Sequence, residues 1–420
     1  MTTLTTIFIF VVGTAVLYQW RKLPTLKAFL GGAAMALAFA LPHMWFTKET
    51  DGYLPLFTIV LCAVYALFAL GLNVVVGFAG LLDLGYVAFF LFGAYVGAWY
   101  MSDFAVNISS ATRSWNFHFL DAASPTIPGV HISFWLVIII AGVVAALAGV
   151  VIGAPTLRLK SDYLALVTLG FGEILPEVFR NGDDLPGGLN LTNGTRGIGP
   201  VDQVGMGFLD KIPGIPKTIV AADYRTKYYV ILAFCGLFVW VSIKLRDGRL
   251  GRAWMAIRED ELAASLMGVP LMRTKLWSYA IGAVAGGVGG AFFATIVGTV
   301  DVNTFTFAFS IIVLCAVILG GMGNVWGAIL GAVVITWFNY TGLTWIGGKI
   351  NNVAPSGSWF ATFDFRNLQY GLFGSVLVLM MLFRPDGFIP AARSKQVKQA
   401  ELEVLAHQEE ELDQQEVAAV

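Results

Sequence analysis

The chain is 420 residues long, 57% hydrophobic and only 13% charged, with 47 glycines and a formal net charge of −1. Soluble domains hold about 45–50% apolar and about 25% charged residues, so this composition excludes an ordinary soluble fold and points to the bilayer. The near-neutral balance gives no sign of nucleic-acid binding.

The first residues, MTTLTTIFIFVVGTAVLYQWRKL, carry their positive charges after the apolar run and have no small-residue cleavage site. They read as a retained first span rather than a signal peptide. A span needs about 20 apolar residues. The candidates in chain order are 4–20, 26–46, 54–76, 84–101, 132–153, 163–179, 228–245, 275–297, 306–320, 325–346 and 368–383. The segment 163–179 is short and contains Glu173, Pro176 and Glu177, so it either crosses or is re-entrant. Arg21, Lys22, Lys27, Arg158, Lys160, the run from Lys244 to Lys275 and the tail from Arg384 fall on one side if each candidate crosses. By the positive-inside rule that side is cytoplasmic, which puts the N-terminus outside and the C-terminus inside. The expected fold is an all-α polytopic membrane protein of about 10–11 transmembrane helices with glycine-rich breaks. It divides into an N-terminal transmembrane hairpin (1–50), a core (51–390) with a cytoplasmic loop at 244–275, and a polar cytoplasmic tail (391–420).

Two apolar runs are interrupted by glycine, at Gly77, Gly80, Asp83 and Gly85, and again at Gly320, Gly321, Gly323 and Asn324. Either these are tight turns between adjacent spans, for which glycine suits the backbone, or they are paired broken helices of an internal repeat. Small residues recur at spacing four in Gly93/Gly97, Gly282/Gly286/Gly290 and Gly327/Gly331, the pattern of close helix approach. Cys62, Cys235 and Cys315 lie far apart in apolar runs without metal-ligand spacing and read as small membrane-embedded residues.

Enzyme chemistry finds little support. There is no phosphate-binding loop, the nearest run being Gly347-Gly348-Lys349-Ile350, so the chain itself is not expected to bind ATP. The four histidines, His43, His118, His131 and His407, are scattered, and no G-x-S-x-G elbow occurs. Polar residues within or beside the spans are the candidates for a translocation pathway, because burial in lipid is costly. They are Asn73, Asp83, Thr168, Glu173, Asp301 and Asn303, with helix capping as the competing reading for Asp83 and Asp301. The loop DDLPGGLNLTNGTRGIGP, 183–200, is long and irregular, and its Asn193 and Arg196 are candidates for docking a protein outside the membrane.

Between Lys244 and Lys275 stand seven basic and four acidic residues, too many for hydrocarbon. Residues 251–267 favour helix, Gly268 suits a left-handed position after the last turn, and Pro270 follows. Ala253, Ile257, Glu261, Ala264 and Gly268 would share one face, with Ala263, Ala264 and Gly268 leaving a thin end and Arg252, Arg258, Glu259, Asp260 and Glu261 offering charge. Such a helix is shaped to sit in a cleft of a partner; an amphipathic connector lying on the membrane is the plainer alternative.

This segment resembles the cytoplasmic coupling motif of ABC importer permeases, E-A-A-three residues-G, with Ala263, Ala264 and Gly268 matching and Glu261 one position early. More specifically, GRAWMAIREDELAASLMGV, GLNVVVGFAGLLDLGYVAFFLFGAY, LTNGTRGIGP, VILGGMGNVWGAILGA and FRPDGFIP resemble the LivM-type permeases of branched-chain amino acid importers. The resemblance implies a bacterial inner-membrane subunit paired with a second, related permease. Two cytoplasmic ATPases using ATP and Mg, and a periplasmic binding protein, would complete the importer. It implies leucine, isoleucine and valine as ligands, with urea, short amides or aromatic acids as those of close relatives. The rival classes are a secondary transporter or channel working alone and an intramembrane enzyme, which would need a convergent set of polar residues that the sequence does not show.

Overall fold

The computed structural model describes residues 38, 40–43, 55–112, 115–119, 128–159, 161–204, 224–353, 368–384 and 387–390. The expected span 4–20, nearly all of 26–46 and the tail 391–420 lie outside the described residues. Within them the chain is helical, as its composition requires: backbone polar groups in hydrocarbon must be satisfied within a helix or a closed barrel.

Helix α1 covers Leu56–Leu72 and continues without interruption as a π-helix, Asn73–Phe78. Apolar on every side, it is buried on every side, as such a helix should be. The second helix, α2 (Val87–Tyr100), leads to a small three-stranded sheet of β1 (Met101–Ser102), β2 (Asn116–Phe119) and β3 (Gly129–Ile132). In it β3 is central, antiparallel to β1 and parallel to β2. Nothing in the apolar periodicity of the spans foretells this sheet. Next come α3 (Phe134–Thr156), α4 (Ser161–Arg180) and α5 (Tyr224–Asp247). Two short helices follow, α6 (Arg249–Glu259) and α7 (Glu261–Leu266), and then the long α8 (Leu271–Val297). The remainder is α9 (Phe307–Gly320), α10 (Val325–Trp337) running through π-helical Phe338–Gly342 into α11 (Leu343–Val353), and α12 (Gln369–Phe383).

Five of these rods are long and apolar enough to cross a membrane, and three shorter apolar helices accompany them among the described residues. The doubtful segment 163–179 is one continuous helix, α4, containing Pro176. Its exposed positions Tyr163, Leu166, Glu173, Ile174, Glu177 and Val178 fall on one face, and its buried Thr168 and Gly172 lie against Leu84 and Gly85.

The core is built around α1 and α8. Helix α8 packs on α1, α2 and α3, and α1 also meets α5, α9 and α10. Glycine makes these approaches possible. A Cβ on Gly287 would stand 2.6 Å from the Ala141 carbonyl oxygen of α3, and one on Gly93 of α2 would collide with the Gly287 backbone. Gly71 and Gly282 face each other between α1 and α8, and Gly327 and Gly331 of α10 lie on the backbone of Gly320 and Ala316. The spacing-four glycines therefore serve contacts within this chain. An aromatic knot closes α1, α2 and α9 together: Phe90 stacks on Phe309 at 4.5 Å and lies 4.9 Å from Phe68. On the outside, Leu136, Ile139, Val143, Leu147 and Val151 form an exposed, uncharged stripe along α3 suited to lipid. The three cysteines are buried thiols, as their apolar surroundings suggested.

The connections sort to two ends. One end gathers the π-helical end of α1, the α6–α7 segment, the α9–α10 turn and residues 387–390. The other gathers the sheet, residues 181–204 and residues 298–304.

Gly287→Leu would force a side chain into the α3 backbone. Overpacking of this kind costs about 1–3 kcal/mol or more. The variant is expected to melt several degrees lower in detergent, while Gly236→Ala, in open space on α5, melts no lower than the wild type.

Candidate functional site: the charged segment and the glycine breaks

The charged stretch after α5 turns sharply at Gly248, and α6 folds back on the end of α5. A Cβ at Gly251 would collide with the carbonyls of Leu245 and Arg246, so the turn needs glycine there. The inner face of α6 is Gly251, Trp254 and Ile257, all buried. Trp254 is the anchor: fully buried, it donates Nε1–H to the Thr274 carbonyl at 2.7 Å, tying α6 to the first turn of α8.

The expected single helix over 251–267 is in fact two. Asp260 is extended (φ −153, ψ 110) and ends α6. Its carboxylate then accepts from the amides of Leu262 and Ala263 at 2.8 and 2.9 Å and so caps α7. The physical reason is that Asp, favoured at caps and poor in helix interiors, wins locally over the surrounding helix formers. Ala253, Ile257, Glu261, Ala264 and Gly268 consequently do not share a face: Ile257 and Ala264 are buried, whereas Glu261, Ala263 and Gly268 are exposed. Gly268 does adopt the expected left-handed conformation (φ +82), and the amide of Val269 bonds back to the Ala264 carbonyl. Glu261 pairs with the buried ammonium of Lys275 at 2.6 Å, fastening α7 to α8. Glu259 is exposed, and Arg252 turns back to the Asp247 carbonyl. What α7 presents outward is apolar. Leu262, Leu266 and Met267 are 71%, 80% and 85% exposed, a knob that a search for charges and small residues passes over.

Arg258 is exposed, yet its guanidinium reaches back to the core. Its Nη1 donates to the carbonyl of Gly77, in the π-helical end of α1. Its stem lies on Gly80 (φ +69), where a Cβ would come within 2.6 Å of Arg258 Cγ. Four residues before Gly77, the buried Asn73 accepts from the amide of Gly323 at 2.9 Å. The two glycine breaks are therefore in direct contact, and the α6–α7 segment rests on the first.

The breaks differ in kind. The second is a tight turn, with Gly321 and Gly323 at positive φ and Asn324 capping α10 through the amides of Trp326 and Gly327. The Asn324 amide group also donates to the Ile389 carbonyl, and the amides of Phe388 and Ile389 donate to Leu319 and Gly320. The first is not a simple turn. After the π-helix, residues 79–86 run irregularly and largely buried until α2 begins, where the amide of Val87 donates to Ser310 Oγ in the first turn of α9.

The pathway candidates do not form one site. Asn73 holds Gly323; Asp83 accepts from the Gly85 amide at 2.9 Å through Oδ1, while its buried Oδ2 has no partner among the described residues. Buried Thr168 accepts from the Leu84 amide. Glu173 is exposed on another face of α4. Asp301 and Asn303 sit at the opposite end, where Asp301 caps a short turn and Asn303 meets Arg180 at 3.4 Å. At that end too, the 183–200 loop is pinned down: Ile198 bridges Val300, Asn193 (φ +59) donates to the Gly197 carbonyl, and Arg196 is exposed.

The family described as branched-chain amino acid transport system, permease component, matches residues 54–381. The chain belongs to this family. It is 33% identical over 371 residues, 86% of its length and 74% of the relative's, to the high-affinity branched-chain amino acid transport system permease protein LivM of Escherichia coli (strain K12). To the probable branched-chain amino acid transport permease protein LivM of Methanocaldococcus jannaschii it is 25% identical, over 78% of this chain and 90% of that one. A more distant similarity, 24% over 66% of the chain and 81% of the relative, is to the high-affinity permease protein LivH of Salmonella typhimurium. No solved structure matches. The segments holding the site, 73–86, 249–268 and 320–325, all fall inside the matched range.

Loss of the Asp260 cap costs about 1 kcal/mol. Asp260→Ala is therefore expected to speed amide hydrogen exchange in residues 262–267 roughly fivefold while leaving the glycine-rich part of α8 unchanged, and Asp260→Asn is expected to keep the wild-type rate.

Proposed function

We propose that this chain is the transmembrane permease subunit of an ATP-driven importer that moves branched-chain amino acids, leucine, isoleucine and valine, across the bacterial inner membrane. The observation that carries the ATP-driven part is the α7 knob, three large apolar side chains standing exposed beside an exposed Gly268. Its shape suits a cleft on a cytoplasmic ATPase, and two such subunits would bind and hydrolyse ATP with Mg. Arg158, Lys244, Arg246, Arg249, Arg252, Arg273 and Lys275 gather at the same end, which the positive-inside rule makes cytoplasmic. The C-terminus would then be cytoplasmic and the N-terminus periplasmic. The substrate class follows the names of the relatives.

The same reading assigns the exposed face of α4 to a second, homologous permease. Carboxylates are costly against lipid, and Glu173 and Glu177 stand on that face among exposed Leu166, Ile174 and Val178. The face of α3, without charge, meets lipid. Ligand would pass between the two permeases beside Glu173, delivered by a periplasmic binding protein docked over the pinned loop with Asn193 and Arg196.

Tagged chain co-expressed with its ATPases should retain them on purification and support ATP-dependent uptake of labelled leucine. Valine should compete for that uptake; competition by urea or short amides instead would reassign the substrate within the same class. Uptake by the purified chain alone would favour a stand-alone transporter. A Cβ at Gly268 meets nothing within the chain. Gly268→Trp should accordingly abolish uptake with membrane insertion intact, whereas Gly268→Ala, which adds only backbone strain, should lose much less. Unchanged transport by the Trp variant would overturn the docking of α7.

A further inference from the structure

Arg258 is a charged side chain on a segment read as the handle for an ATPase, yet its guanidinium is engaged by the permease's own backbone. Helix α1 ends in the π-helix Asn73–Phe78, where the amides of Ala79 and Leu81 serve the Val74 and Val75 carbonyls but no later helical turn serves Gly77. Arg258 Nη1 supplies one to Gly77. A cation is favourable at a helix C-terminus, where the aligned peptide dipoles leave partial negative charge. Room for the arginine stem exists because residue 80 is glycine at positive φ. From the same π-helix, Asn73 Oδ1 takes the Gly323 amide in the turn between α9 and α10. A Cβ at Gly77 would meet both Asn73 and the Gly323 nitrogen, so the three groups are in contact around one point.

We infer that Arg258 is a positioning residue. It transmits motion of the α6–α7 segment to the core through the carbonyl of Gly77, and Asn73 passes that motion on to the α9–α10 hairpin through Gly323. A displacement of α6 is thereby delivered at once to α1, the buried central helix, and to a second pair of helices. Trp254 and the Glu261–Lys275 pair tie the same segment to α8, so the three contacts make the handle and the core move as one piece. This rests on the importer reading, with α7 as the ATPase contact; Arg258, exposed on α6, is engaged through Nη1 at Gly77 and is not one of the knob side chains.

The test uses the whole importer, with both permeases, the ATPases and the binding protein in proteoliposomes, and measures labelled leucine uptake and ATP hydrolysis in the same vesicles. Arg258→Ala is expected to keep its ATPases on purification and to keep basal hydrolysis, but to import roughly tenfold less leucine per ATP, the scale of one lost charge-assisted hydrogen bond. Arg258→Lys, which retains a cationic donor, is expected to recover much of that loss. Asn73→Ala should show the same uncoupling, and the double variant should be no worse than the worse single one, because both remove one relay. Wild-type leucine imported per ATP in Arg258→Ala overturns the inference, as does loss of ATPase binding in that variant, or losses that multiply in the double variant. If wild-type vesicles show no ATP-driven uptake, the importer reading itself fails and this inference with it. Should Arg258→Ala not fold, Arg258→Lys and Asn73→Ala carry the same comparison.

Discussion

A buried backbone group left without a partner costs about 1–3 kcal/mol, and this chain interrupts its apolar runs at two largely buried glycine breaks. What the structure does at those breaks governs the rest. The carbonyl of Gly77 takes a guanidinium, the amide of Gly323 takes the Asn73 side chain, and the end of α9 takes the amides of Phe388 and Ile389. Each partner comes from a different part of the sequence. Satisfying the broken backbone thus stitches α1, the α6–α7 segment, the α9–α10 hairpin and the stretch after α12 to one another. The polar bonds that close the breaks also hold the apolar knob of α7, Leu262, Leu266 and Met267, close to the buried helix α1.

The apolar part of the molecule supplies the stiffness this needs. Lipid tails are as apolar as leucine, so helices in a membrane associate through close packing rather than through exclusion of water. Glycine on α8 lets α1, α2 and α3 come to backbone contact, and the Phe68–Phe90–Phe309 knot holds the third side. A core packed at such distances shifts as blocks rather than deforming continuously, which suits a subunit driven from one end.

Much of this was legible in the sequence. The helices α1, α3, α5, α8 and α9 begin and end within a few residues of their apolar runs, whereas the run 325–346 became α10 and continued through a π-helical turn into α11 as far as Val353. Gly268 was readable as a left-handed cap because its conformation depends on its neighbours alone. The break at Asp260 was not read, since it turns on competition between a capping side chain and good helix formers, which residue propensity averages away. Nor was the reach of Arg258 back to the core: it depends on Gly80 and Gly77, about 180 residues upstream, and distance along the chain conceals that contact. The apolar knob was missed for the opposite reason. In a chain this hydrophobic, Leu262, Leu266 and Met267 carry no signal until the fold leaves them uncovered. The pathway residues were identified by their cost in lipid, and the fold gives Asn73 and Thr168 that cost back as structural hydrogen bonds. Glu173 keeps its exposure.

The claim that the handle and the core form one piece is tested most directly by distance. Spin labels at Glu259, exposed at the end of α6 and outside the knob, and at Trp326, exposed on α10 beside the second break, can be measured in the assembled importer with and without bound ATP. The account predicts a separation that changes by less than one helical turn, about 5 Å, because both labels ride on the unit joined through Arg258, Asn73 and Gly323. A change of a full turn or more on ATP binding would mean that the segment swings independently of the breaks, and would contradict it.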